Sequence, residues 1–366
     1  MLTVAGAGMA GLCAAARARE LGADVAVHEK GTRPGGSMLL SSCVVWRYRE
    51  WEDFRHECPA GDERLQRLVW ERLDDALAWL DSLGAPVVER GTGNPRTVGW
   101  RFDPRGLTDT LARAARDVRL AAPLPEHPAP PTLLATGGFQ AARELVQRFI
   151  RPGGDLLLRA NPWSAGDGLA VGVERGAALS SGLDEFYGRA MPAPPARIGE
   201  DGYVPLAQLY GRYALVLDEA GDEVALDDVS WAETDLVQAI ARREHARAWY
   251  LVDEEALELR VRERSVTDMI ESARDAGGTV LLPGELPFEV PGVYRYAVHV
   301  QAAITHTIGG LRVDDRARVL AADGSPIDGL YAAGADVGGI STGGYASGLA
   351  AALVLGVAAA ENAVGG

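Results

Sequence analysis

Three glycines near the start of the chain constrain what it can fold into. Gly6, Gly8 and Gly11 stand between a short apolar run, Leu2–Ala5, and an alanine-rich stretch, Leu12–Leu21. This order predicts a buried strand, a tight turn and a helix, and such a turn lets the backbone approach a pyrophosphate at the helix N-terminus. The pattern therefore indicates a βαβ unit that binds a dinucleotide.

A carboxylate follows at the spacing that this interpretation requires. The run Ala23–Glu29 predicts the second parallel strand. Glu29 closes it about 20 residues after the glycines, where a carboxylate accepts hydrogen bonds from a ribose diol. The glycine loop alone does not distinguish FAD from NAD. The turn Arg33–Ser37 favours FAD, because an NAD domain would pass directly into its next crossover helix.

Composition excludes several classes of partner. The chain has 36 basic and 51 acidic residues, a formal charge of −15 at pH 7, so nucleic acid and anionic membranes are disfavoured as partners. Cys13, Cys43 and Cys58 show no metal-ligand spacing, which predicts no metal site and no disulfide framework and favours a cytoplasmic location. No apolar run reaches about 20 residues, so we expect no membrane-spanning helix.

Hydrophobic periodicity divides the chain into further elements. The predicted helices are 63–83, 107–116, 141–149, 234–243, 254–276 and 344–363, and the predicted strands include 132–135, 295–315 and 329–333. Five prolines make Pro123–Pro131 a connector. The fold class is α/β, a Rossmann-like FAD-binding domain with an inserted α+β cap domain. The predicted bounds are 1–190 and 294–366 for the FAD-binding domain and 191–293 for the cap.

Four later segments accompany the glycine loop in a recognisable order. They are Leu134-Ala-Thr-Gly-Gly-Phe139, Ala165-Gly-Asp-Gly168 with Gly176-Ala177, His306-Thr-Ile-Gly-Gly-Leu311, and Gly329-Leu-Tyr-Ala-Ala-Gly334 with the glycines of 343–348. Together they resemble the flavoprotein family of fumarate reductases, succinate dehydrogenase flavin subunits, and ketosteroid and tricarballylate dehydrogenases, with the last branch most similar. The resemblance implies an FAD domain interrupted by a cap.

The resemblance also implies which residues hold FAD. Cofactor contacts fall on Gly6, Gly8, Met9, Ala10, Gly11, Glu29, Lys30, Gly31, Gly35, Gly36, Ser37, Ser41, Ser42, Ala135, Thr136, Gly137, Gly138, Asn161, Gly166, Asp167, Gly334, Asp336, Gly344, Gly348 and Leu349. Succinate dehydrogenase subunits attach flavin through a histidine in the turn that corresponds to Gly36–Cys43. No histidine stands there in this chain, so we expect noncovalent FAD.

Candidate catalytic residues follow from the same resemblance. They are His306, Tyr296, Tyr345, Tyr187 and Arg189. Fumarate reductases carry a substrate-binding arginine just before the last helix, but the corresponding stretch, 341–345, has no basic residue. Fumarate and succinate are therefore disfavoured as substrates.

Two more basic residues stand in the predicted cap. Arg262 and Arg264 fall on the predicted helix 254–276, where we interpret them as solvated surface charges.

The expected activity is hydride transfer between flavin N5 and a carbon of a small or medium organic substrate. The reaction would be C–C dehydrogenation or C=C reduction next to a carbonyl or carboxylate. An external electron donor or acceptor is a candidate partner besides the substrate. Two alternatives stay open, a flavin-binding partner protein that has lost catalysis and an NAD-dependent dehydrogenase.

Overall fold

The computed structural model describes residues 1–126, 128–150 and 152–365. Contacts divide the chain into two compact units. Unit 1 comprises Met1–Ala142, Asn161–Glu185 and His306–Gly366, and unit 2 comprises Arg143–Ala160 and Phe186–Thr305. Each is described separately below.

Among the described residues, β15 (Tyr296–Thr307) is the longest strand, with 12 residues. The strands are β1 (Leu2–Ala5), β2 (Val25–His28), β3 (Val44–Tyr48), β4 (Val87–Glu89), β5 (Thr97–Phe102), β6 (Val118–Arg119), β7 (Thr132–Leu134), β8 (Leu157–Leu158), β9 (Phe186–Pro192), β10 (Leu215–Leu217), β11 (Arg247–Val252), β12 (Arg260–Val261), β13 (Arg264–Ser265), β14 (Val280–Leu281), β15 (Tyr296–Thr307), β16 (Arg318–Leu320) and β17 (Pro326–Ala332).

The helices follow the same order. They are α1 (Met9–Glu20), α2 (Trp51–Glu57), α3 (Glu63–Ser82), α4 (Pro104–Ala115), α5 (Arg143–Phe149), α6 (Asp167–Glu174), α7 (Thr234–Ala241), α8 (Glu254–Leu257), α9 (Val266–Asp275) and α10 (Gly348–Val364). None of these described helices is both long and apolar enough to cross a membrane.

A mostly parallel sheet forms the centre of unit 1. Its order is β16-β17-β7-β1-β2-β6. β1 pairs in parallel with β2, where Leu2 faces Val25, and with β7, where Thr3 faces Thr132. α1 connects β1 to β2, and Gly22 follows it with a left-handed φ of 83° that ends the helix. The predicted βαβ unit and the α/β fold class are confirmed.

Small residues allow α1 and α10 to pack closely against each other. α1 buries Ala14, Ala15 and Ala18, and α10 is buried from Ala350 to Ala360. A Cβ atom on Gly356 would lie 2.5 Å from the carbonyl oxygen of Ala10. The backbones therefore meet at a distance that only glycine permits.

A second, antiparallel sheet of unit 1 has the order β3-β5-β4. Trp46 on β3 faces Gly99 on β5. The amphipathic helix α3 of the same unit starts at its N-cap Asp62, whose side chain accepts from the amides of Arg64 and Leu65.

Unit 2 is built on β15, the longest strand. The sheet order is β10-β11-β15-β14, and β8 and β9 pair with β15 as well. β11 is antiparallel to β15, with Trp249 opposite His299. β15 belongs to unit 2 up to Thr305, and its last two residues belong to unit 1.

The prediction of one helix over 254–276 is wrong. The chain forms the short helix α8, the hairpin β12–β13 and then α9. Arg262 turns the hairpin with a φ of 59°, and Arg264 lies on β13, so neither arginine is on a helix. α9 begins anew because Ser265 and Asp268 form a capping box.

Two helix starts also differ from the prediction. α1 begins at Met9, three residues early, because Gly8 serves as its N-cap. α10 begins at Gly348, not 344, because Ser347 caps it with a hydroxyl that accepts from the amide of Ala350. Gly344 therefore precedes the helix. In the proline-rich connector, His127 lies outside the described residues.

The compact units differ from the predicted domain bounds in three segments. Unit 2 contains the predicted cap, 191–293, and also 143–160, 186–190 and 294–305. The reason is strand pairing, since β8 and β9 both pair with β15. The division into an FAD-binding domain and a cap stays a prediction.

We expect Gly356→Ala to destabilise the protein. The new methyl group would collide with the Ala10 carbonyl, and overpacking of this kind costs about 1–3 kcal/mol. Thermal unfolding followed by circular dichroism would measure the loss. Gly284→Ala is the control, because a Cβ there meets no described atom within 4 Å. An equal melting temperature for the two variants would contradict the close helix packing.

Candidate functional site

The glycine loop is held by contacts of backbone with backbone. Gly6 has a φ of 100°, and a Cβ on it would lie 2.1 Å from the carbonyl oxygen of Ala135. A Cβ on Gly11 would lie 1.9 Å from the carbonyl oxygen of Gly6. Side chains at either position would push the first turn of α1 away from the β7 turn. These two glycines therefore shape the loop.

Gly8, the middle glycine of the loop, faces a second glycine turn. The nearest atom that a Cβ on Gly8 would meet is Cα of Gly36, at 4.0 Å, and a Cβ on Gly36 would lie 3.2 Å from Cα of Gly8. Gly35 and Gly36 have φ angles of 105° and 52°, and the Gly35 amide donates to the Ala7 carbonyl at 2.7 Å. The predicted turn thus lies against the glycine loop, and glycine backbone lines the cradle between them, with Nδ2 of Asn161 3.7 Å from the position of a Cβ on Gly36.

The N-terminus of α1 opens into this cradle. Its N-cap Gly8 offers no side-chain acceptor, and its first turn has no acidic residue. The amides of Met9, Ala10 and Gly11 have no acceptor within the helix, and the helix dipole is positive at this end. A cradle lined by glycine Cα atoms and open amides fits the pyrophosphate of a dinucleotide.

Glu29 lies beside the same loop. Its carboxylate is 6% exposed and accepts the Ala7 amide at 2.8 Å on Oε2 and the Gly31 amide at 2.6 Å on Oε1. A carboxylate offers about four lone-pair sites, so two backbone donors orient it and leave acceptors for ligand hydroxyls. Its geometry suits a ribose diol.

An ion pair connects the turn after β2 with the start of α6. Lys30 Nζ lies 2.7 Å from Oδ2 of Asp167. Both side chains are about one-third or more exposed, so the pair contributes little to stability. Gly166, the N-cap of α6, is left-handed with a φ of 84°. Lys30, Gly166 and Asp167 are all predicted cofactor residues, and the structure brings Lys30 and Asp167 into contact.

Asp336 connects three turns of unit 1. Its carboxylate accepts the Thr136 amide at 2.5 Å and the Gly138 amide at 2.9 Å, and the Thr136 hydroxyl lies 2.9 Å from Oδ2. That hydroxyl also accepts the Gly168 amide at 2.9 Å. Burial raises the pKa of Asp336, and these hydrogen bonds oppose the rise. The carboxylate therefore has a clear architectural task, and its predicted cofactor contact stays a prediction.

His306 lies against the start of α10. A Cβ on Gly348 would meet its imidazole at 3.1 Å from Cε1 and 3.3 Å from Nε2. Desolvation lowers the pKa of His306 to about 4. The ring is therefore neutral at neutral pH, with one nitrogen that donates and one that accepts. His306 is therefore suited to hydrogen bonding, and it would not serve as a general acid that is protonated at neutral pH.

The loop before α10 is fixed by close contacts. A Cβ on Gly344 would lie 1.7 Å from the carbonyl oxygen of Glu57, and the Gly343 amide donates to Glu185 Oε2 at 2.7 Å. The Tyr345 ring packs edge-on against Trp46 with centroids 5.6 Å apart. A carboxylate, that of Glu185, thus contacts this loop.

Other predicted cofactor residues belong to turns and to a helix start of unit 1. The Asn161 amide donates to Ser37 Oγ at 3.3 Å. Gly137 and Gly334 are left-handed, with φ angles of 97° and 70°. Leu349 lies in the first turn of α10.

Ser41 and Ser42, in the turn after Gly36, are two further predicted cofactor residues. The hydroxyl of Ser41 is used locally, donating to the Met38 carbonyl at 2.8 Å and accepting the Cys43 amide at 3.0 Å. Ser42 is exposed. Neither observation tests a cofactor contact, and both assignments stay predictions.

Three candidate catalytic residues belong to unit 2. Arg189 is 4% exposed on β9, donates to the Ala232 carbonyl, and lies 5.0 Å from the Tyr187 ring centroid. Burial raises the pKa of the neighbouring Glu233, and the positive charge of Arg189 opposes that rise.

Tyr296 occupies the first position of β15. Thr305, which directly precedes His306, lies nine residues further along the same strand, or about 30 Å at the usual rise. Tyr296 is therefore at the far end of the strand from the His306 position.

Sequence reasoning missed Trp163, Trp46 and Glu185. Their partners are remote in sequence, as for Gly343 and Glu185, which are 158 residues apart. A signal did exist for Trp163, namely the glycine at position 31, which packs against it.

A protein-family model described as the FAD binding domain matches residues 2–129 and 127–349. Among curated proteins, the "Probable fumarate reductase Ifc3" of Shewanella frigidimarina is 24% identical, with 98% of this chain and 74% of that protein covered. The "NADH:acrylate oxidoreductase" of Vibrio harveyi is 25% identical, with 58% of this chain and 24% of that protein covered.

Solved structures share the fold. The open conformation of a flavocytochrome c3 fumarate reductase superimposes with a TM-score of 0.72 at 22% identity, over 100% of this chain and 78% of that one. The 3-ketosteroid-Δ4-(5α)-dehydrogenase of Rhodococcus jostii RHA1 gives 0.68 at 18% identity, over 99% and 96%. These likenesses establish a common architecture.

The pKa of His306 predicts a dependence of stability on pH. The folded value of about 4 lies below the ordinary value of 6.5, so the unfolded chain binds the proton first as pH falls. Stability from the neutral ring is complete above pH 6.5 and is lost between pH 6.5 and 4. Urea unfolding of wild type and His306→Asn over this range should show the difference between them shrinking toward low pH.

An NMR titration of the histidine ring protons provides the direct check. A His306 pKa close to the ordinary value of 6.5 would contradict the desolvated position.

Proposed function

Because the chain belongs to the FAD binding domain family, FAD is its cofactor, and we propose that it is an oxidoreductase acting on a carbon–carbon bond next to a carbonyl or carboxylate. The observation that carries the proposal is the glycine-lined cradle between Gly8 and Gly36 at the N-terminus of α1. Bound FAD would supply a two-electron acceptor or donor at N5. The remaining steps belong to residues of the chain.

Retention of the cofactor would depend on the ADP half. The amides of the first turn of α1 would bind the pyrophosphate, and Glu29 would accept from the ribose hydroxyls. The turn Gly36–Cys43 contains no histidine for a covalent link. We therefore propose tight, noncovalent binding.

Charge stabilisation would come from the N-terminus of α10. The amides of Gly348 and Leu349 have no acceptor within the helix, and the positive end of the helix dipole would stabilise negative charge at the carbonyl edge of the flavin. His306, neutral and packed on Gly348, would donate one hydrogen bond at the same edge. The phenol of Tyr345 is a second candidate donor.

The substrate would differ from that of the fumarate reductases. Positions 338–347 contain no basic residue, and the Gly343 amide is already bound by the Glu185 carboxylate. The loop itself would therefore offer a dicarboxylate no positive side chain. We therefore propose a substrate that is uncharged where it faces the loop, such as a ketone or an enone.

The predicted roles of Tyr187 and Arg189 stay proposals in unit 2. The predicted role of Tyr296, at the first position of β15, stays a proposal as well. External electron donors or acceptors and a cytoplasmic location remain part of the proposal.

Glu29→Ala should weaken FAD binding, and it should also lower the stability of the protein, because the Ala7 and Gly31 amides lose their acceptor. It removes hydrogen bonds to a charged group worth about 1.5–3 kcal/mol, or about 10- to 100-fold in affinity. Titration of the apoprotein with FAD, followed by flavin fluorescence, gives the constants, and Glu255→Ala at an exposed site is the control. Acid precipitation of the holoprotein should release all the flavin, as noncovalent binding requires.

His306→Asn should leave FAD bound and lower kcat. Loss of one preorganised donor to developing charge typically costs about 10²-fold. Anaerobic mixing with enones, saturated ketones, monocarboxylates and fumarate, monitored at the flavin absorbance, gives the rates in each direction.

Four results would argue against the proposal. Unchanged kcat in His306→Asn would remove that residue from catalysis, and fumarate as the best substrate would overturn the substrate class. FAD that no substrate oxidises or reduces would indicate a flavin-binding partner protein. Protein without flavin absorbance that binds NADH saturably would select the NAD-dependent alternative.

A further inference from the structure

Trp163 occupies a segment that runs along the cradle, residues 161–166. The segment is held at both ends, since the Asn161 amide donates to Ser37 Oγ at 3.3 Å and the Gly166 amide donates to the Gly138 carbonyl at 3.0 Å. The Trp163 amide donates to Asn161 Oδ1 at 3.1 Å. The indole is therefore presented by a fixed stretch of backbone.

The indole lies directly on Gly31. A Cβ on Gly31 would lie 2.5 Å from Cε3 and 2.7 Å from Cδ2 of Trp163. Gly31 is not among the residues with positive φ, so its backbone conformation suits any residue. Glycine is required at this position because the indole leaves no space for a side chain.

The Gly31 turn determines how the Glu29 carboxylate points. The Gly31 amide donates to Oε1 at 2.6 Å, and the Gly31 carbonyl accepts the Ala121 amide at 2.8 Å. Movement of Gly31 toward an empty space would take this donor away from Glu29. The indole thus acts on the carboxylate through one residue.

Two further contacts involve the residues on either side of this packing. The guanidinium carbon of Arg33 lies 5.9 Å from the ring centroid. Lys30, beside Gly31, pairs with Asp167 at 2.7 Å. Contacts from both segments therefore hold the Gly31 turn and residues 161–167 together.

We propose that Trp163 is a positioning residue that makes the chain selective for FAD over FMN. By packing on Gly31 it keeps Glu29 oriented toward the adenosine ribose, a group that FMN lacks. This inference rests on the proposed function, since it requires FAD in the cradle. Trp163 adds nothing to binding of the flavin mononucleotide half.

Equilibrium binding to the apoprotein separates the two halves of the cofactor. The probes are FAD, ADP and FMN, measured by isothermal titration calorimetry with wild type, Trp163→Ala and Trp163→Phe. In Trp163→Ala we expect affinity for FAD and ADP to fall by the same factor, about tenfold, with FMN affinity unchanged. Trp163→Phe keeps an aromatic ring on Gly31 and should restore most of the loss.

Trp100→Ala is the matched control. Trp100 is also partly exposed and carries a guanidinium, that of Arg90, 4.1 Å from its ring centroid. It should bind all three probes as wild type does. Gly31→Ala tests the same contact from the other side, and it should reproduce the selective loss of FAD and ADP even where Trp163→Ala fails to fold.

The outcomes are distinguishable. Unchanged FAD affinity in both Trp163→Ala and Gly31→Ala would overturn the inference while leaving the proposed function intact. An equal loss of FAD and FMN affinity would also overturn it, because that indicates general damage to the cradle. Failure of the wild-type apoprotein to bind FAD would overturn the proposed function, and the inference with it.

Discussion

The backbone around the N-terminus of α1 is packed so closely that side chains are excluded, and the rest of unit 1 depends on this constraint. Gly6 lies against Ala135, Gly11 against Gly6, and Gly356 against Ala10. These contacts bring the glycine loop, the β7 turn and α10 together at one end of α1. The open amides of α1 consequently face a space that backbone alone has shaped, which is what a pyrophosphate requires.

Buried carboxylates hold the tight turns of unit 1 by accepting hydrogen bonds from backbone amides. Asp336 accepts the amides of Thr136 and Gly138, and Glu29 accepts those of Ala7 and Gly31. Backbone amides in tight turns lack the ladder partners of regular structure, and an unsatisfied buried amide costs about 1–3 kcal/mol. One carboxylate therefore stabilises two turns at once. The price is desolvation of the charge, seen in the raised pKa of Asp336.

Sequence predicted the parts of the fold that local patterns determine. The glycine spacing and the apolar runs gave β1, α1 and β2 because a βαβ turn has a fixed local geometry. Residues 254–276 were misjudged because amphipathic spacing continues through the hairpin at Arg262, whose left-handed backbone carries no sequence mark. The start of α10 was misplaced because Gly343 and Gly344 resemble a helix start, whereas Ser347 supplies the cap.

The residues of the candidate site also divide into those that a local sequence pattern predicts and those that it does not. The glycines of the cradle are visible in sequence, since close backbone approach requires them. Contacts between remote side chains are not visible, because Thr136 and Asp336 are 200 residues apart. The pairing of Gly31 with Trp163 is intermediate. A glycine with an ordinary φ signals that something occupies its side-chain space, but only the structure identifies the indole.

The electrostatics of the α10 N-terminus give a reason for pairing a helix start with a neutral histidine. An imidazolium at the positive end of a helix would be disfavoured by the dipole as well as by burial. With a pKa of about 4, His306 adds a directed N–H without adding a cation. In the proposed function, the helix would stabilise a negative charge that develops during reaction, while the Glu185 carboxylate on Gly343 would oppose a negative charge already present on a substrate. Such a site would favour negative charge that forms only during the reaction over negative charge that the substrate already carries. This would suit an uncharged carbonyl compound.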